Sequence, residues 1–375
     1  MSVQLFVPTF RIQECLVEIQ ECLEKGWTGL GFKTNVFEHN WKEYTKLNNA
    51  HFISSNTVGL HLAVKLFKET KGWKDGDEII STPLTFISTN HAISYERLKP
   101  VFADVDEYLC LDPEDVEKKI TKKTRAVMFV GMGGNAGRYS EIVELCKKHD
   151  LILILDAAHM AGTRINGEHV GKDADVVIFS FQAVKNLPTA DSGMICFRDT
   201  ELDELARKYT WLGINKDTYA RSTSKGAYKW HYEVDNVGFK YHGNSIMAAI
   251  GIVQLKYLDQ DNAYRRQLCS WYAEGLRTNN EIHIIPTAPH CESSKHLFQI
   301  AVQKRDEVML ALNENEIYPG VHYRDNTEYS MYKYAIGTCP NASRMSKEII
   351  SLPLHLRMQK PDVDNVVNRL LTIIK

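Results

Sequence analysis

Two continuous apolar runs, LILIL at 151–155 and VVIFSF at 176–181, constrain this chain more than any other feature. Each is shorter than an ordinary helix and lacks the alternation of a half-exposed strand, so each reads as a strand buried on both faces. Similar strands recur in EIIST, near Val101 and over Ala126–Val130, and helical patterns over 113–120 and 139–148 separate them. Strands alternating with helices imply an α/β fold with a mostly parallel sheet covered on both sides. Ligands bind such sheets at the C-terminal ends of the strands. Asp156 ends LILIL and Lys185 follows the FSF strand, so both fall at that edge.

A third piece of that edge comes from HFISSNTVGLHLAVKLF, residues 51–67, which reads as a strand, a small polar turn and a helix. A helix entered through Ser55, Asn56 and Thr57 leaves free N–H groups and a positive dipole end, suited to a phosphate or to plain N-capping. Neither GxGxxG nor GxxxxGK[ST] accompanies it, which removes the usual support for dinucleotide and nucleoside-triphosphate binding. Phe86, beside a helix starting near Thr85 or Ser88, is either a core aromatic or a platform for ring stacking.

Elsewhere the pattern is structural. Residues 12–26 predict a helix with Leu16, Ile19 and Leu23 on one buried face, and Gly29 with Gly31 is either a turn or a loop at a substrate mouth. Residues 201–236 predict a long loop with short helices. A helical stretch over 244–276 leads to a small α/β module, which divides the chain into a large domain at 1–250 and a linker with a small domain at 251–375.

At 375 residues, with 44% apolar and 25% charged, the chain can bury a large core. A net charge of -2 argues against a nucleic-acid partner. The opening MSVQLFVPTF lacks the pattern of a signal peptide and no window is long enough to span a bilayer, so a cytoplasmic protein without a membrane partner is expected. Eight cysteines without CxxC pairs suit reduced, mostly buried thiols rather than a metal or disulfide framework.

The chemistry follows from the two residues at the sheet edge. Desolvation lowers a lysine's hold on its proton and lets the amine form an imine with an aldehyde. An acid buried at a strand end keeps a pyridine nitrogen protonated, which makes the ring an electron sink. Lys185 and Asp156 together describe a site for pyridoxal 5'-phosphate. His159 would then lie over the ring opposite Phe86, and the turn at 55–57 with Ser180 would hold the phosphate.

The blocks GDEIISTPLTFISTNHAI, PVFADVDEYLCLDPEDVEKKITKKTRAV, ILDAAHMAGTRINGEHVGKDADVVIFSFQAVKNL, VGFKYHGNSIMAAIGIVQL, VHYRD and SLPLHLRMQKPDVDNVV extend over nearly the whole chain. In this order they resemble the successive motifs of the DegT/DnrJ/EryC1/StrS family of sugar aminotransferases. That resemblance implies the fold type I architecture of pyridoxal-phosphate enzymes: a mostly parallel seven-stranded sheet flanked by helices, with a smaller C-terminal α/β domain. It implies Lys185 as the Schiff-base lysine and general acid/base, and Asp156 as the partner of the pyridine nitrogen. His159 and Phe86 become ring neighbours, and Thr57 and Ser180 phosphate ligands. It further implies a homodimer with a shared active site, in which the KYHGN segment of one subunit reaches the other's cofactor; Lys240 stands there in place of the family's asparagine and is a candidate phosphate contact. Two departures are visible. The family's SGT is Ser55, Asn56 and Thr57 here, where asparagine would tolerate a left-handed turn, and its GEGG is Ala190 to Gly193.

The implied reaction moves an amino group from an amino acid, L-glutamate, to a nucleotide-linked keto sugar, in making an amino sugar for a surface polysaccharide or a secondary metabolite. An acceptor that is a small free or phosphorylated ketone, and a non-catalytic ligand-binding relative, stay open beside it. Trp230, His231, His322 and Arg324 are candidate contacts to sugar or nucleotide.

Overall fold

Seven strands form the central sheet of the computed structural model, which describes residues 2–215 and 232–374. Their order is His51–Ile53, Gly193–Phe197, Val176–Ser180, Ile152–Asp156, Thr124–Val130, Glu78–Ser81 and Lys99–Phe102. Neighbours run parallel except for the two pairings made by Gly193–Phe197. The unbroken apolar runs have a simple cause. Met128, Ile154, Ile178 and Ile195 join one core with Leu60 and Val64 of the helix Asn56–Lys71, while Val127, Leu155, Phe179 and Met194 join another with Phe37 and Trp41. Both faces of the sheet are therefore dry, and alternate residues serve opposite cores.

A third core gathers Leu268, Tyr272, Phe298, Ile300, Ile350 and Leu370 around a small antiparallel sheet of His283–Ile284, Phe298–Ala301 and Ile349–Leu352. Val3 belongs to this core, and the strand Val3–Gln4 pairs with Ile317–Tyr318. The N-terminal segment is thus tied to the C-terminal module. Among the described residues no helix is long and apolar enough to cross a membrane.

Three local expectations need correction. The helix Ile12–Glu24 docks through Cys15 and Cys22, whose stripe faces the helix Ser245–Leu255, with Cys22 Sγ 3.6 Å from the Ser245 carbonyl. Leu16 and Leu23 are 53% and 62% exposed, so the stripe read as buried is open in the single chain. Thr200–Thr210 is a regular helix, capped by the Asp199 carboxylate on Glu201 N–H at 2.8 Å, with Ala206 and Tyr209 in the core. The stretch 244–276 is two helices, Ser245–Leu255 and Leu258–Leu276; between them Lys256 and Tyr257 bond back three residues, tightening the turn. The first of these packs with Ile12–Glu24 and Phe32–Thr45.

Candidate active site

At the C-terminal edge of the sheet lies a cavity of about 440 Å³, lined by Ser55, Asn56, Thr57, Phe86, Asp156, His159, Ser180 and Lys185. Eight of the nine residues expected in a cofactor site thus meet in one space, although they are up to 130 positions apart in the chain.

Asp156 is the last residue of its strand and 3% exposed. Its Oδ2 accepts from Thr89 Oγ1 at 2.8 Å, and its Oδ1 accepts from Ala158 N–H and Asn56 Nδ2, both at 3.2 Å. Burial pushes the carboxyl above the usual range; these three donors and the Lys185 charge pull the other way.

Lys185 is placed by a tight turn after the strand ending at Ser180. Gln182 anchors that turn, its Oε1 accepting from Val184 N–H at 3.1 Å and its carbonyl from Lys185 N–H at 2.8 Å. Desolvation lowers the Lys185 amine to about 8, with Asp156 opposing the shift. The divergent loop that follows closes back on the strand: Thr189 N–H donates to the Phe181 carbonyl at 2.9 Å, Phe181 N–H to the Ser192 carbonyl at 2.8 Å, and the Thr189 and Ser192 hydroxyls meet at 2.6 Å. The Ser192 hydroxyl thus makes a bond that a glycine could not.

The helix Asn56–Lys71 begins on the cavity. Ser55 caps it by accepting from Val58 N–H at 3.3 Å. The N–H groups of Asn56 and Thr57 lie in the first turn, where a helix supplies no acceptor of its own, and they carry the positive end of the dipole. Gly193 makes this approach possible. A Cβ there would stand 2.6 Å from the Phe179 carbonyl and 2.9 Å from Asn56 N.

His159 is fully specified. Gly133 N–H donates to its Nδ1 at 3.2 Å, which leaves the proton of the neutral ring on Nε2, 3.1 Å from Tyr323 Oη. Gly133 has φ +62, in a left-handed turn that a side chain would strain. Burial, then the Lys185 charge, holds His159 well below the ordinary imidazole range. His296 lies 4.4 Å from His159 between ring centres and stacks on Phe6 at 5.3 Å. His322 is drawn down to about 4 by burial. This wall of the cavity is neutral, and among the described lining residues Lys185 is the one cationic side chain, beside the acids Asp156 and Asp191.

Phe86 is 58% exposed at the cavity mouth, 5.9 Å from the Tyr323 ring, so it is no core aromatic. Lys240 does not line its own chain's cavity; its Nζ sits 3.3 Å over the Trp211 ring. The segment 240–244 runs along the edge strand instead, with Ser54 N–H bonded to the Tyr241 carbonyl and Gly243 N–H to the Phe52 carbonyl. Of the further candidates, His322 lines the cavity, Arg324 pairs with Glu328 at 2.6 Å outside it, and Trp230 and His231 lie outside the described residues. The Gly29–Gly31 turn is also outside it, the Gly29 carbonyl accepting from Ser245 N–H and Oγ. Thr89, His296 and Tyr323 were missed, although Thr89 and Tyr323 stand in the recognised TFIST and VHYRD blocks.

An acid at one end, an amine of lowered basicity and a helix N-terminus at the other end fit a cofactor carrying a basic ring nitrogen, an aldehyde and a phosphate. The comparisons agree. The model of the DegT/DnrJ/EryC1/StrS aminotransferase family matches residues 11–371. The spore coat polysaccharide biosynthesis protein SpsC of Bacillus subtilis is 32% identical, over 97% of this chain and 95% of that protein. The Helicobacter pylori aminotransferase PseC, involved in the biosynthesis of pseudoaminic acid, is 25% identical and superposes with a TM-score of 0.92 over 100% of this chain and 99% of its own. Spr1654 of Streptococcus pneumoniae, solved in its PMP form, is 25% identical with a TM-score of 0.90 and 98% of each chain covered. This chain belongs to the DegT/DnrJ/EryC1/StrS aminotransferase family and is a pyridoxal-phosphate-dependent aminotransferase.

Proposed function

We propose that this enzyme moves an amino group from L-glutamate to a keto sugar carried on a nucleotide, in the cytoplasm, on the way to an amino sugar of a surface polysaccharide or secondary metabolite. The observation that carries the chemistry is the shared cavity of Asp156 and Lys185, whose amine is lowered to about 8. Bound pyridoxal phosphate supplies the electron sink for deprotonation next to nitrogen. Lys185 holds the cofactor and, once released, moves the proton. Asp156 holds the ring nitrogen, His159 and Phe86 border the ring, and Ser55, Asn56, Thr57 and Ser180 receive the phosphate. The polysaccharide and pseudoaminic-acid roles of SpsC and PseC favour a sugar acceptor over a small ketone.

The enzyme acts as a homodimer in this reading. Two features support it: the apolar stripe of Ile12, Leu16, Val17 and Leu23, all more than half exposed, and the segment 240–244, which does not line its own chain's cavity. Leu16→Glu with Leu23→Glu should shift the sedimentation coefficient to that of a monomer; an unchanged value sinks this role for the stripe. For the reaction, the purified protein should show the visible band of cofactor bound covalently to Lys185, which Lys185→Ala abolishes and glutamate shifts. Kinetics with keto-sugar nucleotides against small ketones, at saturating glutamate, test the acceptor. No turnover of any keto-sugar nucleotide overturns the assignment.

A further inference from the structure

Asn56 takes part in both ends of the site. Its backbone opens the helix on the cavity, and its side chain reaches the acid. Nδ2 donates to Asp156 Oδ1 at 3.2 Å and to the Ile178 carbonyl at 3.1 Å, from a residue only 7% exposed. A carboxylate oxygen offers about two acceptor sites. Among the described residues both are filled on Oδ1, by Asn56 and by Ala158 N–H, and on Oδ2 Thr89 fills one and leaves one.

We propose that Asn56 is a positioning residue for Asp156, filling the second acceptor site of Oδ1 so that Oδ2 alone is left to bind the ring nitrogen of pyridoxal phosphate. This rests on the assignment of Asp156 to that nitrogen. A glycine, usual at this place in the family, could open the helix but could not make the side-chain contact. Asn56 also links the two ends mechanically: the first turn that meets the phosphate cannot move from the strand edge without pulling on the carboxylate. The Ile178 bond fixes the amide plane, so the donor is held even before any ligand arrives.

The test compares two ligands on the cofactor-free protein, pyridoxal phosphate and its 1-deaza analogue, in which carbon replaces the ring nitrogen. Dissociation constants are read by fluorescence quenching for wild type, Asn56→Gly and Asn56→Ala. Wild type should prefer pyridoxal phosphate, and both variants should lose about tenfold of that preference, the worth of one hydrogen bond to a buried charge. Two substitutions of different backbone freedom separate the lost amide from a loosened turn. An equal weakening of both ligands, with the preference intact, overturns the proposal and leaves Asn56 as a shaper of the phosphate turn. A wild type that binds both ligands equally overturns the Asp156 assignment itself, and this inference with it.

Discussion

The amine of Lys185 gives the sharpest quantitative test, because its basicity is set by two opposed causes that one substitution separates. Desolvation lowers it from 10.5 to about 8, while the Asp156 charge raises it. At pH 7 an ordinary lysine is neutral about 0.03% of the time, whereas an amine of about 8 is neutral about 9% of the time, a gain of about 300-fold in the nucleophilic form. Asp156→Asn preserves volume and removes the opposing charge, so the amine should fall below 8 and its reactivity at pH 7 should rise. Since the neutral fraction cannot exceed one, the rise is capped at about elevenfold. Competitive acetylation of the cofactor-free protein, read by mass spectrometry on the Lys185 peptide across pH 5–11, gives both midpoints. A wild-type midpoint at 10 or above would refute the desolvation argument. An upward shift in Asp156→Asn would refute the coupling between the two groups.

Lys185→Met should abolish transamination and yet raise the unfolding temperature of the cofactor-free protein below pH 8. The sign follows from the lowered basicity: burying the charged amine destabilises the fold fully below about 8, and this penalty fades as pH rises towards 10.5. Gly193→Ala should cost about 1–3 kcal/mol by urea denaturation and weaken the cofactor further, because the added Cβ meets backbone atoms that cannot rotate away; wild-type stability and affinity would show that the helix start can retreat. Asp106 is raised from 3.8 to about 7, first by burial, and among the described residues its Oδ2 has no hydrogen-bond partner. Its destabilisation therefore grows between about 4 and 7 and is complete above 7. Asp106→Asn should raise the unfolding temperature at pH 8 and leave it unchanged at pH 4, and the same gain at both would show that charge is not the cause.

How much of this was readable in advance depends on what a residue answers to. The runs LILIL and VVIF were legible because a strand covered on both faces has no polar positions to offer, and their ends mark the ligand edge of any parallel sheet. Asp156 and Lys185 could be placed from that edge alone. Leu16 and Leu23 show the limit of periodicity, which finds an apolar stripe without saying what covers it. The stripe one residue away, Cys15 and Cys22, is the one that Ser245–Leu255 takes. Thr89 and Tyr323 show a different limit. Their meaning lies in bonds to Asp156 and His159, 67 and 164 positions distant, which no local pattern encodes.

Asn56 joins these limits. As a departure from SGT it poses a conformational question, whether asparagine can follow the glycine's left-handed path. The structure answers that no such path is needed. Asn56 is absent from the positive-φ residues and begins the helix directly, with Ser55 as its extended cap. The room that the close approach requires is supplied by Gly193, the glycine kept from the GEGG pattern on the neighbouring strand, where a Cβ would meet Asn56 N at 2.9 Å. With that room on the neighbouring strand and no left-handed turn needed at position 56, the residue there can carry a side chain, and the one it carries bonds Asp156. A substitution that looks like strain in the sequence is, in the fold, an added hydrogen-bond donor. The two positions should therefore be coupled: in Gly193→Ala the helix start must shift, and the Asn56 contact to Asp156 should weaken with it. A double-mutant cycle of Gly193→Ala and Asn56→Ala on pyridoxal-phosphate affinity should then be non-additive, the second substitution losing less once the first is made. Strict additivity would mean that the helix start and the acid are held independently.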